Sequence, residues 1–214
     1  MLTVALRGAP MTEAEIHRLI AAEAALLDRH RQGDRGAFEE LVLTYKDAVY
    51  GYLCRCRIPA ATRDDLAQEV FMRVHKALSR FTPEEGRASL KAWIFTIVAN
   101  AARSHFRHLG VEQRALETAG AEDSDFVPEH DASSEDALAG KEMAVWLDVA
   151  VQRLPIAERE AVILVCIEGI DQEEAARALE IPINTLKTHL RRGRLRLAEA
   201  LARRGAILQR EQRR

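Results

Sequence analysis

Apolar residues recur every three or four positions along most of the chain, which is the spacing of amphipathic helices. Four segments of this kind precede residue 110. They predict a helix that starts after Thr12, where Glu15 completes a capping box, and helices over about 37–57, 63–80 and 90–108. No alternating run is long enough to predict a strand, so the pattern predicts an all-α protein.

The periodic pattern stops over residues 111–140, which are poor in large apolar side chains and rich in Asp, Glu, Ser and Ala. Such a segment cannot bury enough surface to offset its chain entropy, so it predicts a flexible linker. Helical spacing resumes near Lys141 and continues to about Arg203, with breaks at Pro155, Gly169 and Pro182. We therefore expect two small helical domains, an N-terminal helical bundle and a C-terminal four-helix domain, joined by the acidic linker.

The composition is that of an ordinary globular chain of 214 residues, with 48% hydrophobic, 30% charged and only 5% aromatic residues. No apolar run approaches the ~20 residues of a membrane span, and the N-terminal apolar stretch is too short for a secretory signal. We therefore expect a soluble cytoplasmic protein with no membrane span. The cysteines Cys54, Cys56 and Cys166 are an odd number in a reducing compartment, which excludes a disulfide scaffold.

The formal net charge of −2 hides a separation of charge along the chain. Residues 111–140 hold nine acids and one base, whereas residues 185–214 hold ten bases and two acids. Residues 86–110 hold four bases and no acid. Two basic zones on either side of an acidic one suggest two nucleic-acid contacts joined by a linker, with solvated helix faces as the alternative.

The sharpest local signal is GIDQEEAARALEIPINTLKTHLRRGR, residues 169–194. A short helix capped by Asp171, with Glu174 in the capping-box position, a turn and a basic helix with Asn184 as N-cap predict a helix-turn-helix. The apolar seam between the two helices is expected to contain Ala175, Ala176, Leu179, Ile181, Leu186 and Leu190. Major-groove and phosphate contacts are expected from Thr185, Lys187, Thr188, Arg191 and Arg192. The excess of bases argues against the alternative, a plain helical hairpin.

Two helices of the N-terminal part carry distinctive polar faces. In residues 63–81, an acidic, amide-bearing face suits a basic protein partner better than DNA, and it contains Asp64, Asp65, Gln68, Glu69 and Met72. In residues 89–110, one face repeats Thr96, Asn100, Arg103 and Arg107, with Trp93, Phe95 and Phe106 nearby. A protein binds unpaired DNA through cationic side chains that contact the phosphates and aromatic rings that stack on the bases. The plainer alternatives are a solvated face for the first helix and core positions for the aromatics, Trp93 at least in part.

Together these segments resemble the extracytoplasmic-function (ECF, group 4) sigma factors of bacterial RNA polymerase. The resemblance rests on three stretches that cover most of residues 33–201 in the family's order: GDRGAFEELVLTY; DDLAQEVFMRV followed by KAWIFTIVANAARSHFR; and LPIAEREAVILVCIEGIDQEEAARALEIPINTLKTHLRRGRLRL. It implies a region 2 domain at 33–110, the linker at 111–140 and a region 4 domain at 141–205. Outside the resemblance, we expect a helical extension at 1–32 and a basic tail at 206–214.

The resemblance also implies a function, namely promoter recognition, opening of the −10 element and transcription initiation. The acidic face, Asp64 to Met72, would dock on the clamp helices of the largest polymerase subunit. The flap of the second-largest subunit would be a further contact. The linker would pass through the active-site and RNA-exit channels. The −10 strand would be held by Arg87, Ser89, Lys91, Trp93, Asn100, Arg103 and Arg107. The −35 element would be read by Asn184, Thr185, Lys187, Thr188, Arg191, Arg192 and Arg194. An anti-sigma factor would regulate the protein.

Three features depart from the family or need a physical reason. Glu180 stands where the family usually has a Gly in the turn, so a residue suited to left-handed backbone is missing. Gly193 lies inside a helix, where it costs about 1 kcal/mol relative to Ala, and close packing is the expected reason. The first ~30 residues extend beyond the usual family start and are expected to pack on the first domain, a contact with a regulator being the alternative.

The other signals are weak. Cys54 and Cys56 would point to different faces of a helix, and no second pair lies at zinc spacing. We therefore expect core or surface cysteines, with a redox or metal sensor as the alternative. No nucleophile motif, phosphate loop or catalytic carboxylate pair stands out, so no enzyme, metal or cofactor is expected. Two rival hypotheses are a dimeric activator, which would need a ligand or receiver domain, and a sigma mimic that titrates an anti-sigma factor. The basic residues of both DNA faces argue against the mimic.

Overall fold

The computed structural model of the chain describes residues 13–82, 89–108 and 135–211. Within these ranges the secondary structure is helical, which confirms the predicted all-α class. The helices are α1 Glu13–Arg31, α2 Arg35–Arg55, α3 Ala60–Leu78, α4 Leu90–His108, α5 Glu135–Gln152, α6 Ile156–Val162, α7 Gln172–Ala178 and α8 Ile183–Glu211. A π-helical turn, Ile163–Ile167, continues α6. The capping residue Thr12 and the linker up to residue 134 lie outside the described residues.

Several boundaries differ from those expected. Helix α5 begins at Glu135, so it includes the last residues of the predicted linker. Helix α8 runs to Glu211, through most of the predicted basic tail. The same helix begins at Ile183, which places Asn184 in the first turn, so the prediction of Asn184 as the N-cap is wrong.

Helix α1 packs along α2, so the N-terminal extension belongs to the first domain over the residues described. Leu26 and Leu27 are buried between the two helices. The Tyr45 hydroxyl donates a 2.7 Å hydrogen bond to Glu23, and the Arg31 guanidinium donates one of 2.8 Å to the Phe81 carbonyl oxygen. The described part of the extension therefore packs on the first domain, as expected.

The start of α2 explains the sharp turn between the first two helices. Gly33 has a φ of 86°, a conformation open to glycine, and Asp34 then caps α2 by accepting a 2.9 Å hydrogen bond from the Gly36 amide. The Arg29 guanidinium donates to Asp34 at 2.9 Å and to Glu40 at 2.7 Å. The hydrogen bond from Arg29, with that from Gly36, holds the pKa of the Asp34 carboxyl below its usual value.

The second domain contains the expected helix-turn-helix. Asp171 caps α7 by accepting a 2.7 Å hydrogen bond from the Glu173 amide. The predicted seam between α7 and α8 is buried, with Ile181 half-buried at its edge: Ala175, Ala176, Leu179, Leu186 and Leu190. A Cβ on Gly193 would lie 2.7 Å from Cγ2 of Val162, so close packing of α8 against α6 is the reason for this glycine.

The two domains share one continuous apolar core. Arg159 of α6 is buried at their junction, where it donates to the Leu154 carbonyl oxygen at 2.8 Å and to the Cys56 carbonyl oxygen at 3.5 Å. All three cysteines are buried, as the core interpretation expects. Burial raises the pKa of the Cys56 thiol to about 12, so this thiol stays protonated at neutral pH.

The described ranges contain neither a membrane-spanning helix nor a cluster of metal-ligating side chains. None of the helices there combines the length and the apolar character that crossing a membrane requires. Among the same residues, no group of three or more His, Cys, Asp or Glu side chains is placed to hold a metal ion.

Candidate nucleic-acid interface

The acidic face of α3 lies open to solvent. Its apolar side is buried in the first domain through Leu66, Val70 and Val74. The opposite side exposes every residue expected to meet a protein partner: Asp64, Asp65, Gln68, Glu69 and Met72. Met72 is 51% exposed and is one of four large apolar side chains that the described residues leave exposed, with Leu43, Met143 and Leu195.

Helix α4 presents the residues expected to hold the −10 strand. Ser89 directly precedes the helix, and its hydroxyl accepts a 3.1 Å hydrogen bond from the Ala92 amide. Lys91, Asn100 and Arg103 are half-buried, whereas Arg107 in the last turn is exposed. Arg87 lies outside the described residues. We call Ser89, Lys91, Asn100 and Arg103 the strand face.

The aromatic side chains of α4 are mostly structural. Phe95 and Phe106 are buried in the core, so the expectation that they offer flat surfaces to DNA bases is wrong for these two. Trp93 is half-buried, and its ring centroid lies 4.9 Å from that of Phe81. Trp93 therefore packs against Phe81 near the start of α4.

The strand face contacts the second domain through four carboxylates, one for each of its residues. Glu168 pairs with the Lys91 ammonium at 3.0 Å, and Glu174 accepts a 2.6 Å hydrogen bond from the Ser89 amide. The Asn100 amide nitrogen donates to Glu180 at 3.3 Å, and the Arg103 Nε donates to Glu160 at 3.4 Å. We call these four glutamates the carboxylate row. Nothing in the sequence pattern assigned them a role in the interface.

Glu160, like Glu168, has a largely buried side chain. Its Oε1 accepts a 3.2 Å hydrogen bond from the Tyr52 hydroxyl in addition to the contact with Arg103. Burial raises the pKa of Glu160, and the nearby Arg103 guanidinium only partly offsets that effect. Burial likewise raises the pKa of Tyr52, so its hydroxyl remains a donor.

The long helix α8 presents the expected −35 face outward. Asn184, Lys187 and the guanidinium-bearing Arg191 and Arg192 are exposed together with Thr188, and Thr185 is half-buried. Arg194 differs from them, because its Nε donates to the buried Cys166 Sγ at 3.3 Å. Lys187, Arg191 and Arg192 therefore form an exposed cationic face over the first three turns of α8, from which Arg194 turns away.

The comparisons with known families agree with this arrangement. Residues 41–111, from α2 to just beyond α4, match the family described as Sigma-70 region 2. Residues 144–197, from α5 into α8, match Sigma-70, region 4. The two matches follow each other in one chain and together cover more than half of it. The chain belongs to the ECF group of sigma factors. Region 2 thus contains the α3 face and the strand face, and region 4 contains the helix-turn-helix.

Similar proteins of established function support the same assignment. The RNA polymerase sigma-H factor of Pseudomonas aeruginosa is 29% identical over 181 residues, which are 82% of this chain and 92% of the relative. The ECF RNA polymerase sigma factor SigE of Mycolicibacterium smegmatis is 30% identical over 79% of this chain and 65% of the relative. The Bartonella quintana sigma factor RpoE, solved in complex with the anti-sigma factor NepR, has a TM-score of 0.60 and 26% identity, covering 77% of this chain and 96% of that one.

Proposed function

We propose that this sigma factor directs the core polymerase to promoters through three separate surfaces. The exposed α3 face binds the polymerase, the strand face of α4 holds the opened −10 strand, and the first turns of α8 read the −35 element. The observation that supports this most strongly is the exposure of an acidic α3 face and a cationic α8 face on two different domains of one chain. A plain helical bundle has no need of either.

The proposed polymerase contacts follow from charge and shape. The acid-and-methionine face from Asp64 to Met72 is complementary to a basic surface, which we assign to the clamp helices of the largest subunit. Region 4 has a groove of about 500 Å³ between α5 and α8, lined by Trp146, Leu154 and Leu197 with arginines at its edge. This apolar groove suits a helix of the flap of the second-largest subunit.

The proposed DNA contacts divide into two kinds. On α8, Lys187, Arg191 and Arg192 supply phosphate contacts and base-edge donors for duplex DNA, as in other helix-turn-helix proteins. On α4, Asn100 and Arg103 offer an amide and a guanidinium to bases taken out of the duplex. Taking a base out costs a few kcal/mol, so these donors must be held in position beforehand.

The linker and the regulator complete the proposal. The 26 residues between α4 and α5, 109–134, reach up to about 90 Å when extended, and two duplex sites two helical turns apart lie about 70 Å from each other. The acidic linker would follow the polymerase channels that otherwise hold nucleic acid.

An anti-sigma factor is a fitting regulator, since a similar sigma factor was solved in complex with one. Because the polymerase supplies the catalysis, the chain itself acts as a binding subunit. It acts in the cytoplasm.

Run-off transcription with purified core polymerase on a pool of promoter fragments tests the proposal. Addition of the wild-type chain is expected to create new start sites, and Arg103→Ala and Lys187→Ala should abolish them. Lys46→Ala, a cation exposed on α2 away from the three surfaces, is the matched control and should behave as wild type. Tight binding to core without initiation would instead identify a sigma mimic, and specific duplex binding without core would identify an activator.

A further inference from the structure

The carboxylate row of region 4 meets the strand face residue by residue. Each of the four strand-face residues has a carboxylate partner across the domain boundary, at 2.6 to 3.4 Å. A second hydrogen bond at 3.3 Å joins the Ser89 hydroxyl to Glu174. Helices α4 and α7 also pack directly against each other. The contact is therefore a matched surface rather than a single ion pair.

Two members of the row hold conformations that local structure does not favour. Glu180 has a φ of 55° in the turn where the family usually has Gly, a left-handed conformation that strains a residue with a side chain. Glu174 is in the capping-box position of α7, yet its carboxylate extends to Ser89 instead of capping its own helix. Such departures from local preference are expected where a residue serves a contact elsewhere.

The row offers the strand face the same chemistry as a DNA strand does. Phosphate oxygens accept hydrogen bonds from Lys and Arg side chains, from Asn and Ser side chains and from backbone amides. Carboxylate oxygens accept from the same donors, with the same sign of charge. The four glutamates thus occupy the donors of the strand face that a −10 strand would use.

The contact leaves the other two functional surfaces exposed. It also leaves the hydrogen-bonding capacity of Arg103 incompletely satisfied. The α3 face and the first turns of α8 stay exposed while the strand face is covered. Arg103 makes only long hydrogen bonds, at 3.4 and 3.5 Å, and its Nη2 is buried without a partner among the described residues. A ligand that binds the guanidinium with two oxygens would satisfy it better than Glu160 does.

We propose that the carboxylate row is a built-in substitute for the −10 strand, which holds the strand face closed until regions 2 and 4 separate on the polymerase. This inference rests on the proposed function of the strand face. It implies that the free chain can dock on polymerase and bind −35 duplex, but takes up single-stranded −10 DNA only after the two domains part. The linker is long enough to permit that separation.

The test uses the full-length chain with three of the row changed: Glu168→Gln, Glu174→Gln and Glu180→Gly together. The glutamines keep size while removing charge, and glycine keeps the left-handed turn. Glu160 is left in place because its Oε1 also accepts the hydrogen bond from the buried Tyr52 hydroxyl. The matched control is Glu173→Gln with Glu199→Gln, which removes charge from exposed positions of α7 and α8 outside the row. Binding of −35 duplex, which needs folded region 4, confirms that each variant is folded.

Two measurements are made on each chain without polymerase. Small-angle scattering gives the radius of gyration, and fluorescence anisotropy gives affinity for a single-stranded oligonucleotide with the −10 sequence and for a scrambled one. We expect the triple variant to be more extended and to bind the −10 strand at least about tenfold more tightly, since several modest ion pairs are lost together. The control should match wild type in both.

The outcomes separate the inference from the function on which it rests. A triple variant that is folded, stays as compact as wild type and binds no more tightly overturns the inference. An extended triple variant without any gain in strand binding also overturns it, because the row would then not cover the strand face. A gain that is equal for the −10 and scrambled strands supports the closed contact but contradicts the −10 role of the strand face.

Discussion

The close packing around Gly193 in region 4 predicts how much an alanine at this position destabilises the protein. Helix α8 crosses α6 so closely that a Cβ at this position would lie 2.7 Å from Cγ2 of Val162 and 3.2 Å from the Glu158 carbonyl oxygen. Val162 is fully buried, and the carbonyl belongs to the α6 backbone. Neither atom can move aside as the end of an exposed side chain would. The two helices must therefore separate to admit an alanine.

The expected size of the effect follows from two opposing contributions. Alanine in a helix interior is favoured over glycine by about 1 kcal/mol, whereas a methyl group forced into a packed core costs about 1–3 kcal/mol. Since both contacting atoms are fixed, we expect the larger cost and a net destabilisation by Gly193→Ala of about 1–2 kcal/mol. The shift of α8 should also weaken binding to −35 duplex, because Arg191 and Arg192 directly precede the glycine.

Gly36→Ala is the matched control. A Cβ there would meet only the ends of two exposed side chains, Asp34 at 3.2 Å and Arg29 at 3.9 Å. This variant should be neutral or more stable by up to about 1 kcal/mol. Urea unfolding followed by circular dichroism gives the free energy of unfolding of both variants. In a Val162→Ala background the cost of Gly193→Ala should fall by about 1 kcal/mol, as expected for residues in contact. A Gly193→Ala chain as stable as Gly36→Ala would refute the close approach.

Three further predictions concern single residues. Asp171→Ala should destabilise region 4 by about 1 kcal/mol in urea unfolding, because it removes the cap of α7; an unchanged free energy of unfolding would show that this cap does not stabilise the domain. Because the folded-state pKa of Asp34 is lowered, its contribution to stability is full above the ordinary carboxyl pKa and is lost as pH falls through the folded value. The difference in urea midpoint between wild type and Asp34→Ala should accordingly be present at neutral pH and shrink below about pH 4, whereas a constant difference would contradict the shift. Lys187→Ala should weaken −35 duplex binding and reduce the slope of log K against log salt by about 1; an unchanged slope would show that Lys187 contacts no phosphate.

The helices could be predicted from the sequence because each depends on the spacing of its own apolar residues. The buried set Leu66, Val70 and Val74 on α3 lies at helical spacing, and it fixes which side of the helix remains outside. The same reasoning found the seam of the helix-turn-helix and the exposed faces of α3 and α8. It was also enough to assign a close contact to Gly193, although the partner, Val162, is 31 residues away in sequence and became known only from the structure.

The carboxylate row could not be predicted, for a reason that is physical. Ion pairs between charged residues far apart in sequence leave no periodic pattern, and Ser89 and Glu174 are 85 positions apart. The local sequence pattern also gave a wrong expectation for Glu174. It placed this residue in a capping box, but its carboxylate accepts hydrogen bonds from Ser89 instead. The unusual residue in the turn was the one available signal. Glu180 keeps the left-handed conformation that a Gly would adopt, and its side chain contacts Asn100 in the other domain.

The proposal that α4 holds the −10 strand and α8 reads the −35 element is tested most directly by footprinting. The holoenzyme is footprinted on a promoter obtained from the transcription screen. Permanganate reports unpaired thymines near −10, and nuclease protection reports occupancy of the −35 element. With wild-type chain both signals should appear. With Asn100→Ala and Arg103→Ala together, the −35 protection should persist while the permanganate signal is lost, and with Lys187→Ala the −35 protection should be weakened. Full permanganate reactivity in the α4 double variant would contradict the assignment of the −10 strand to α4.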